Sequence, residues 1–79
     1  MIMRDTVLLR MLTDNEKNIL YLMLEDKENE YRAKIILLKN DGYTVPEIRR
    51  ATNHHDSNIR KWIHHFNEKG IEGLILKKI

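Results

Sequence analysis

The sequence has no cysteine, only one proline and only three glycines among its 79 residues. The absence of cysteine excludes a disulfide framework, cysteine-ligated zinc sites and a cysteine nucleophile, and it is typical of an intracellular protein. With so few proline and glycine residues the chain has little room for long loops or linkers. We therefore expect one compact domain.

Long hydrophobic runs are missing as well. No stretch reaches the roughly 18 uncharged apolar residues that a membrane span needs, and the N-terminus lacks a hydrophobic run followed by a small-residue cleavage site. We therefore expect a cytoplasmic protein that does not associate with a membrane. A chain this short buries a small share of its surface, so we also expect a thin stability margin, which dimerisation would relieve.

The charges are unevenly divided along the chain, although the net charge is only +2. Residues 1–31 contain four Lys or Arg and seven Asp or Glu, whereas residues 32–79 contain ten and five. The second part therefore has a net charge of +5, which suits binding to a polyanion such as nucleic acid. Surface helices also carry uneven charge without any function, so this pattern alone leaves both interpretations open.

Helix signals begin at Thr13, which forms a capping box with Glu16. We place a leading helix at residues 13–29, in which the charged stretch after Leu24 is either solvated helix or a short break. Its apolar cluster covers more than one face, so part of it packs either in the core or against a second subunit. The second alternative predicts a homodimer.

Further helix signals follow in the second part of the chain. An amphipathic helix from Tyr31 ends near Gly42, and a second capping box begins at Thr44. Asn53 suits a tight turn because asparagine accepts a positive φ, and Gly70 closes the last helix. These signals predict an all-α fold with a helix-turn-helix at residues 44–69.

The two ends of the chain are harder to assign. The N-terminal segment, residues 1–12, is a strand, a short helix or a dimer arm. The rest of the chain, residues 13–79, is the helix-turn-helix domain. The tail, residues 70–79, is apolar and β-prone. It could pair with residues 6–12, within one chain or across a dimer.

The last helix has two contrasting faces. Apolar side chains at spacings of three, four and seven form a stripe that would anchor the helix on a core: Ile59, Trp62, Ile63 and Phe66. The opposite face is polar and basic. Such a face suits a major groove, whose base edges offer acceptors and whose walls are phosphates. We assign base recognition to five side chains there: Ser57, Asn58, Arg60, Lys61 and His64.

Several segments in a fixed order resemble the N-terminal helix-turn-helix of mariner-type and other insertion-sequence transposases. They are residues 32–38 (RAKIILL), 41–44 (DGYT), 47–48 (EI), 59–62 (IRKW) and 66–74 (FNEKGIEGL). The similarity covers residues 12–74. It implies a homeodomain-like three-helix fold, here with an additional N-terminal helix, that binds double-stranded DNA without the transposase catalytic domain.

The chain departs from the family pattern near the turn. Arg49 stands where the family usually has a small residue, and residues 52–54 (TNH) replace Leu-Gly-Val. We expect Arg49 to contact a phosphate rather than to be buried. The complete set of predicted phosphate contacts is Lys39, Arg49, Arg50 and His65.

Two other functional classes are less well supported by the residues. The histidine pairs 54–55 and 64–65 lie too far apart along a helix to bind one ion within the chain, which leaves only a site between subunits. We expect no metal and no cofactor. Ser57, beside Asp56 and His55, resembles a helix cap more than an oriented triad, so we expect neither catalysis nor a small-molecule substrate.

The stronger alternative is a protein-interaction or assembly module that dimerises through the surface of residues 19–24 on the leading helix, with no specific DNA binding. In that case Leu20→Glu and Leu24→Glu should abolish self-association. The function we expect is site-specific DNA binding, either as a small transcriptional regulator or as a transposase-derived module.

Overall fold

The computed structural model describes residues 8–75, which fold into four α-helices and one 3-10 helix. The helices are α1 (Asp14–Met23), α2 (Glu30–Asn40), α3 (Val45–Thr52) and α4 (Asp56–Lys69), and the 3-10 helix is Gly70–Gly73. No strand occurs within residues 8–75. The predicted all-α class, with a helix in front of a three-helix unit, is confirmed.

Both predicted capping boxes are present. The Thr13 hydroxyl accepts from the Glu16 amide at 3.1 Å, and the Glu16 carboxylate accepts from the Thr13 amide at 3.0 Å. Thr44 and Glu47 make the same pair of bonds at 3.3 and 2.9 Å. Because these bonds satisfy amides that have no partner inside a helix, the starts of α1 and α3 are set by the local sequence.

The leading helix is shorter than the predicted range 13–29. α1 ends at Met23, and residues 24–29 form turns. There the Asp26 carboxylate accepts from the Glu28 amide at 3.0 Å and from Asn29 Nδ2 at 2.8 Å. An aspartate that bonds to nearby groups offers the chain an alternative to a helix. The charged stretch is therefore a short break between α1 and α2.

α2 lies at the centre of the bundle, where it packs against α1, α3 and α4, while α3 also packs against α4. The predicted apolar stripe of α4 faces this centre and is buried along its whole length. No helix within residues 8–75 has the length and apolar character needed to cross a membrane. The buried apolar side chains are Leu20, Met23, Ala33, Ile35, Ile36, Val45, Ile48, Ile59, Trp62, Ile63, Phe66 and Leu74.

The described part of the N-terminal segment, residues 8–12, is not a strand and lies against the end of α4. The Asn67 side chain bonds to it in both directions: Oδ1 accepts from the Arg10 amide at 2.9 Å, and Nδ2 donates to the Leu8 carbonyl at 2.7 Å. The Arg10 guanidinium also binds the Glu16 carboxylate at 2.7 Å. This segment therefore connects the start of α1 to the end of α4.

The described part of the tail, residues 70–75, turns back onto α4 and is not a strand. Gly70 has a φ of +67° and ends α4, as predicted. Gly73 approaches the His65 carbonyl so closely that a Cβ atom would overlap it, and Leu74 is fully buried. Residues 8–12 and 70–75 form no strand with one another. The remainder of the predicted pairing, residues 6–7 and 76–79, lies outside the described residues.

Candidate nucleic-acid interface

The turn between α3 and α4 consists of residues 53–55. Asn53 has φ 62° and ψ 35°, and its amide donates to the Arg49 carbonyl at 2.7 Å. This left-handed conformation confirms Asn53 as the turn residue, because asparagine tolerates it better than most side chains. His55 occupies the N-cap position of α4, but its side chain makes no capping hydrogen bond.

Ring stacking connects this turn to α2. His54 stacks on Tyr31, with 4.2 Å between ring centroids and 20° between the planes. Tyr31 in turn meets the edge of Trp62 at 6.4 Å. The half-buried His54 therefore packs near the core and connects the start of α4 to the first turn of α2.

The five residues predicted to contact bases all lie on α4, away from its buried stripe. We call Ser57, Arg60, Lys61 and His64 the outer face of α4; they recur at intervals of three and four and so lie along one side of the helix. Asn58 is on its flank. All of these side chains are exposed except that of Arg60, which is half-buried and has a contact of its own.

Two cationic or polar side chains on or next to the outer face also contact Trp62, which is 4% exposed. The Lys61 ammonium lies 5.0 Å from the centroid of the indole, and the His65 ring meets it edge-on at 5.3 Å. A cation–π contact at an exposed site is worth about 0.5–1 kcal/mol. That is weak enough for Lys61 to exchange it for a contact with a phosphate or a base.

The residues predicted to contact phosphates are less closely grouped. Arg49 and Arg50 are exposed in the last turn of α3, and His65 is exposed on α4. Lys39 lies instead in the last turn of α2 and is half-buried. Three of the four thus belong to the two helices of the helix-turn-helix.

Sequence reasoning missed an ion pair at the start of α4. Arg49 Nη1 lies 3.4 Å from Asp56 Oδ1, and the two side chains are 58% and 36% exposed. The pair joins α3 to α4 across the turn. The sequence does contain one signal, since Asp56 is the only acidic residue between Glu47 and Glu68. A spacing of seven across a turn, however, follows no helical pairing rule.

Arg32 contributes to the positive charge of the second part of the chain but is buried, at 8% exposed. Its Nη1 donates to the Leu74 carbonyl at 3.2 Å and to Asn29 Oδ1 at 2.6 Å, and its guanidinium lies 4.7 Å from the Trp62 ring centroid. Arg32 therefore joins α2 to α4 and to the segment after the 3-10 helix. Its charge is buried within the packing of the fold.

The leading helix exposes part of the surface of residues 19–24 that the sequence offers for a second subunit. Leu20 is fully buried in the core and Leu24 is half-buried, whereas Tyr21 and Leu22 are 59% and 69% exposed. A second subunit would therefore meet Tyr21 and Leu22, not Leu20. Leu20 is buried and its neighbours are exposed because one side of α1 packs against α2, which leaves the adjacent positions on the outside of the helix.

The histidine pairs do not form a common site. His54 is stacked on Tyr31 and His55 occupies the N-cap position of α4, while the other pair is exposed on α4. Across residues 8–75, no group of three His, Asp or Glu side chains is placed to hold a metal ion.

The chain matches a known family over the part that forms this interface. A family model described as a helix-turn-helix domain matches residues 32–78, which is more than half of the chain and includes nearly all of α2 together with α3 and α4. No curated protein and no solved structure matches the chain. The match and the two helices joined by a tight turn agree: the chain belongs to the helix-turn-helix domain family.

Proposed function

We propose that the protein binds double-stranded DNA at specific sequences by placing α4 in the major groove. The observation that carries this proposal is the outer face of α4, which is polar and basic and has no carboxylate between Asp56 and Glu68. A protein surface that approaches phosphates and purine acceptors needs fixed cations and small polar groups. Membership of the helix-turn-helix family supports the same function.

The proposed base contacts are those predicted from the sequence. Arg60 and Lys61 are suited to the O6 and N7 acceptors of guanine, and Ser57 is small enough to allow close approach. Asn58 and His64 add a donor and an acceptor each. Arg49, Arg50, His65 and Lys39 would hold phosphates and thereby fix the orientation of the domain on the duplex.

Two biological settings are consistent with such a domain. One is a small transcriptional regulator, in which occupancy of a site suffices for function. The other is a DNA-binding module related to mariner-type or insertion-sequence transposases, which the order of segments over residues 12–74 supports. In both settings the residues on α4 would recognise a DNA duplex.

Fluorescence anisotropy with labelled duplex DNA at several salt concentrations tests the proposal. We expect the affinity of the unmodified protein to fall steeply with salt, because bound cations release counterions from DNA. The double variant Arg60→Ala/Lys61→Ala should bind at least tenfold more weakly. Because Arg60 and Lys61 are assigned to base edges, the variant should keep most of the salt dependence of the unmodified protein.

The matched control is Lys27→Ala/Lys34→Ala, which removes two exposed cations from the α1–α2 turn and from α2. It lowers the net charge equally and should change affinity much less. If both double variants lowered the affinity for DNA equally, binding would depend on overall charge and not on Arg60 and Lys61. Weak binding that is insensitive to salt and to Arg60 and Lys61 would contradict the proposal outright.

A second proposal concerns self-association. The exposure of Tyr21 and Leu22 favours a homodimer through α1, in addition to DNA binding or, as an assembly module, in its place. A dimer would suit DNA binding because paired recognition helices occupy half-sites about 34 Å apart. Self-association would also bury further apolar surface on a small domain.

Sedimentation velocity measures this directly. The double variant Tyr21→Glu/Leu22→Glu should be monomeric at concentrations where the unmodified protein is dimeric. Asn40→Glu adds a charge at an exposed position on α2 and should leave the dimer intact. A monomer for the unmodified protein at all concentrations would rule out the homodimer.

A further inference from the structure

A carboxylate lies at the N-terminal end of the proposed DNA-binding surface, where DNA phosphates would repel it. Asp56 is the first residue of α4, and no other acidic residue occurs between Glu47 and Glu68. In helix-turn-helix complexes the N-terminal residues of the recognition helix contact the base edges. A negative charge at this position weakens binding to every DNA sequence unless it makes a favourable contact of its own.

The Asp56 carboxylate accepts a hydrogen bond from Arg49 on the preceding helix, α3. Its Oδ1 accepts from Arg49 Nη1 at 3.4 Å, and the side chain is still 36% exposed. A carboxylate has about four acceptor positions on its two oxygens, so the contact with Arg49 leaves capacity for a ligand. Arg49 uses a single N–H group in this contact, and a guanidinium has five, so it retains donors for a phosphate.

The chemistry of the major groove narrows the choice of ligand. The donors available to a carboxylate there are the amino groups of cytosine and adenine. Adenine also presents the N7 acceptor beside its amino group, and a carboxylate repels that acceptor. Cytosine N4 has no acceptor next to it on the same base, which makes it the better partner for an aspartate.

We propose that Asp56 selects a cytosine in the DNA site by accepting a hydrogen bond from its N4 amino group, while Arg49 orients the carboxylate and binds a phosphate. This inference rests on the proposed DNA binding and identifies one base that α4 recognises. Arg49 thereby acts as a positioning residue and Asp56 as a specificity-determining residue.

Selection of bound duplexes from a random pool tests the inference, followed by affinity measurements on the selected duplex and on its single-base variants. The unmodified protein should enrich cytosine at one position and lose about tenfold in affinity when that base is changed. Asp56→Asn should lose this preference and favour adenine at the same position, since asparagine pairs with adenine N6 and N7. Asp56→Glu, which keeps the carboxylate, should retain cytosine.

The matched control is Glu68→Gln, which removes one carboxylate from the last turns of the same helix. Glu68→Gln should raise affinity for all sequences slightly and keep the cytosine preference, whereas Asp56→Asn should bind the cytosine duplex more weakly and change the selected base. Circular dichroism establishes that each variant is folded. The same cytosine preference in Asp56→Asn and Glu68→Gln would show that Asp56 contributes only charge and would overturn the inference.

Failure of the proposed function would look different. In that case the unmodified protein itself would enrich no sequence, and its duplex binding would not depend on salt. DNA binding would then be wrong, and cytosine selection with it. A protein that binds duplexes and enriches sites without any cytosine preference would refute only the role of Asp56.

Discussion

On the inner face of α4, Ile59, Ile63 and Phe66 have no exposed area, whereas on the outer face Ser57, Lys61 and His64 are open to solvent. The inner side chains meet the other helices, so their size and shape are constrained by packing. Of these outer side chains, Ser57 and His64 are exposed and Lys61 makes a weak contact with Trp62. We therefore expect the inner face to determine stability and the outer face to carry the proposed recognition, so a substitution on one face should leave the property of the other nearly unchanged.

The largest expected effect comes from the inner face. Ile63→Ala removes three carbon atoms from a fully buried position, and we expect the free energy of unfolding to fall by about 2–4 kcal/mol. That loss is a large fraction of the total free energy of unfolding of a domain of this size. Urea unfolding followed by circular dichroism measures it.

The control for this prediction is the neighbouring exposed residue. His64→Ala should change the free energy of unfolding by less than about 0.5 kcal/mol. A comparable loss in both variants would mean that the outer face contributes to packing. The separation of the two faces would then be wrong.

A smaller effect is expected where the chain packs back onto α4. Gly73→Ala places a Cβ atom against the His65 carbonyl, so the 3-10 helix must shift away from α4. We expect a loss of about 1–3 kcal/mol, the usual cost of overpacking. Thermal unfolding measures it, with Glu72→Ala at the exposed neighbouring position as the control. Equal melting temperatures for the two variants would show that the tail is free to move.

The third prediction concerns the contact that joins the N-terminal segment to α1. The Arg10 side chain, followed by the Thr13 amide, lowers the pKa of Glu16 from 4.5 to about 2. A lowered pKa means that the folded state favours the ionised carboxylate. Its stabilisation is therefore complete above about pH 4.5 and is lost as the pH falls towards 2. Because Arg10 is partly exposed, we expect only about 1 kcal/mol.

Glu16→Gln should accordingly be less stable than the unmodified protein at pH 7, and the difference should shrink below about pH 4.5 and vanish only below about pH 2. Urea unfolding at several pH values gives both quantities. Glu25→Gln, an exposed carboxylate in the turn after α1, is the control and should show no such pH dependence. A difference between Glu16→Gln and the unmodified protein that persists at the acidic end would assign the stabilisation to something other than the ionised carboxylate.

Local rules predicted much of the fold. The Thr13 and Thr44 capping boxes, the left-handed Asn53 and the buried stripe of α4 all depend on residues close together in the chain, and each was predicted. The end of α1 was not, because helical periodicity does not reveal that the Asp26 side chain competes for nearby donors. The hydrogen bonds of Asp26 that compete with the helix could be identified only from the structure of the turn.

Contacts between distant parts of the chain were beyond sequence reasoning. The bonds of Asn67 with Leu8 and Arg10 join residues almost sixty positions apart, and no periodic pattern specifies them. The same holds for the burial of Arg32, which composition counts as one more surface cation. For the candidate site, the sequence identified the exposed face of α4 but not the Arg49–Asp56 pair, which depends on how α3 crosses α4.

The smallest effect on stability is expected from a substitution on the outer face of α4. This substitution is also the most direct test of the difference between the inner and outer faces. Lys61→Gln removes a charge whose contact with Trp62 is weak. We expect the free energy of unfolding to change by less than about 0.5 kcal/mol, while affinity for duplex DNA falls severalfold at low salt. Paired measurements of unfolding and anisotropy on one sample separate the two properties. A variant that loses stability and DNA affinity in proportion would show that the outer face acts through folding, and recognition could then no longer be assigned to it.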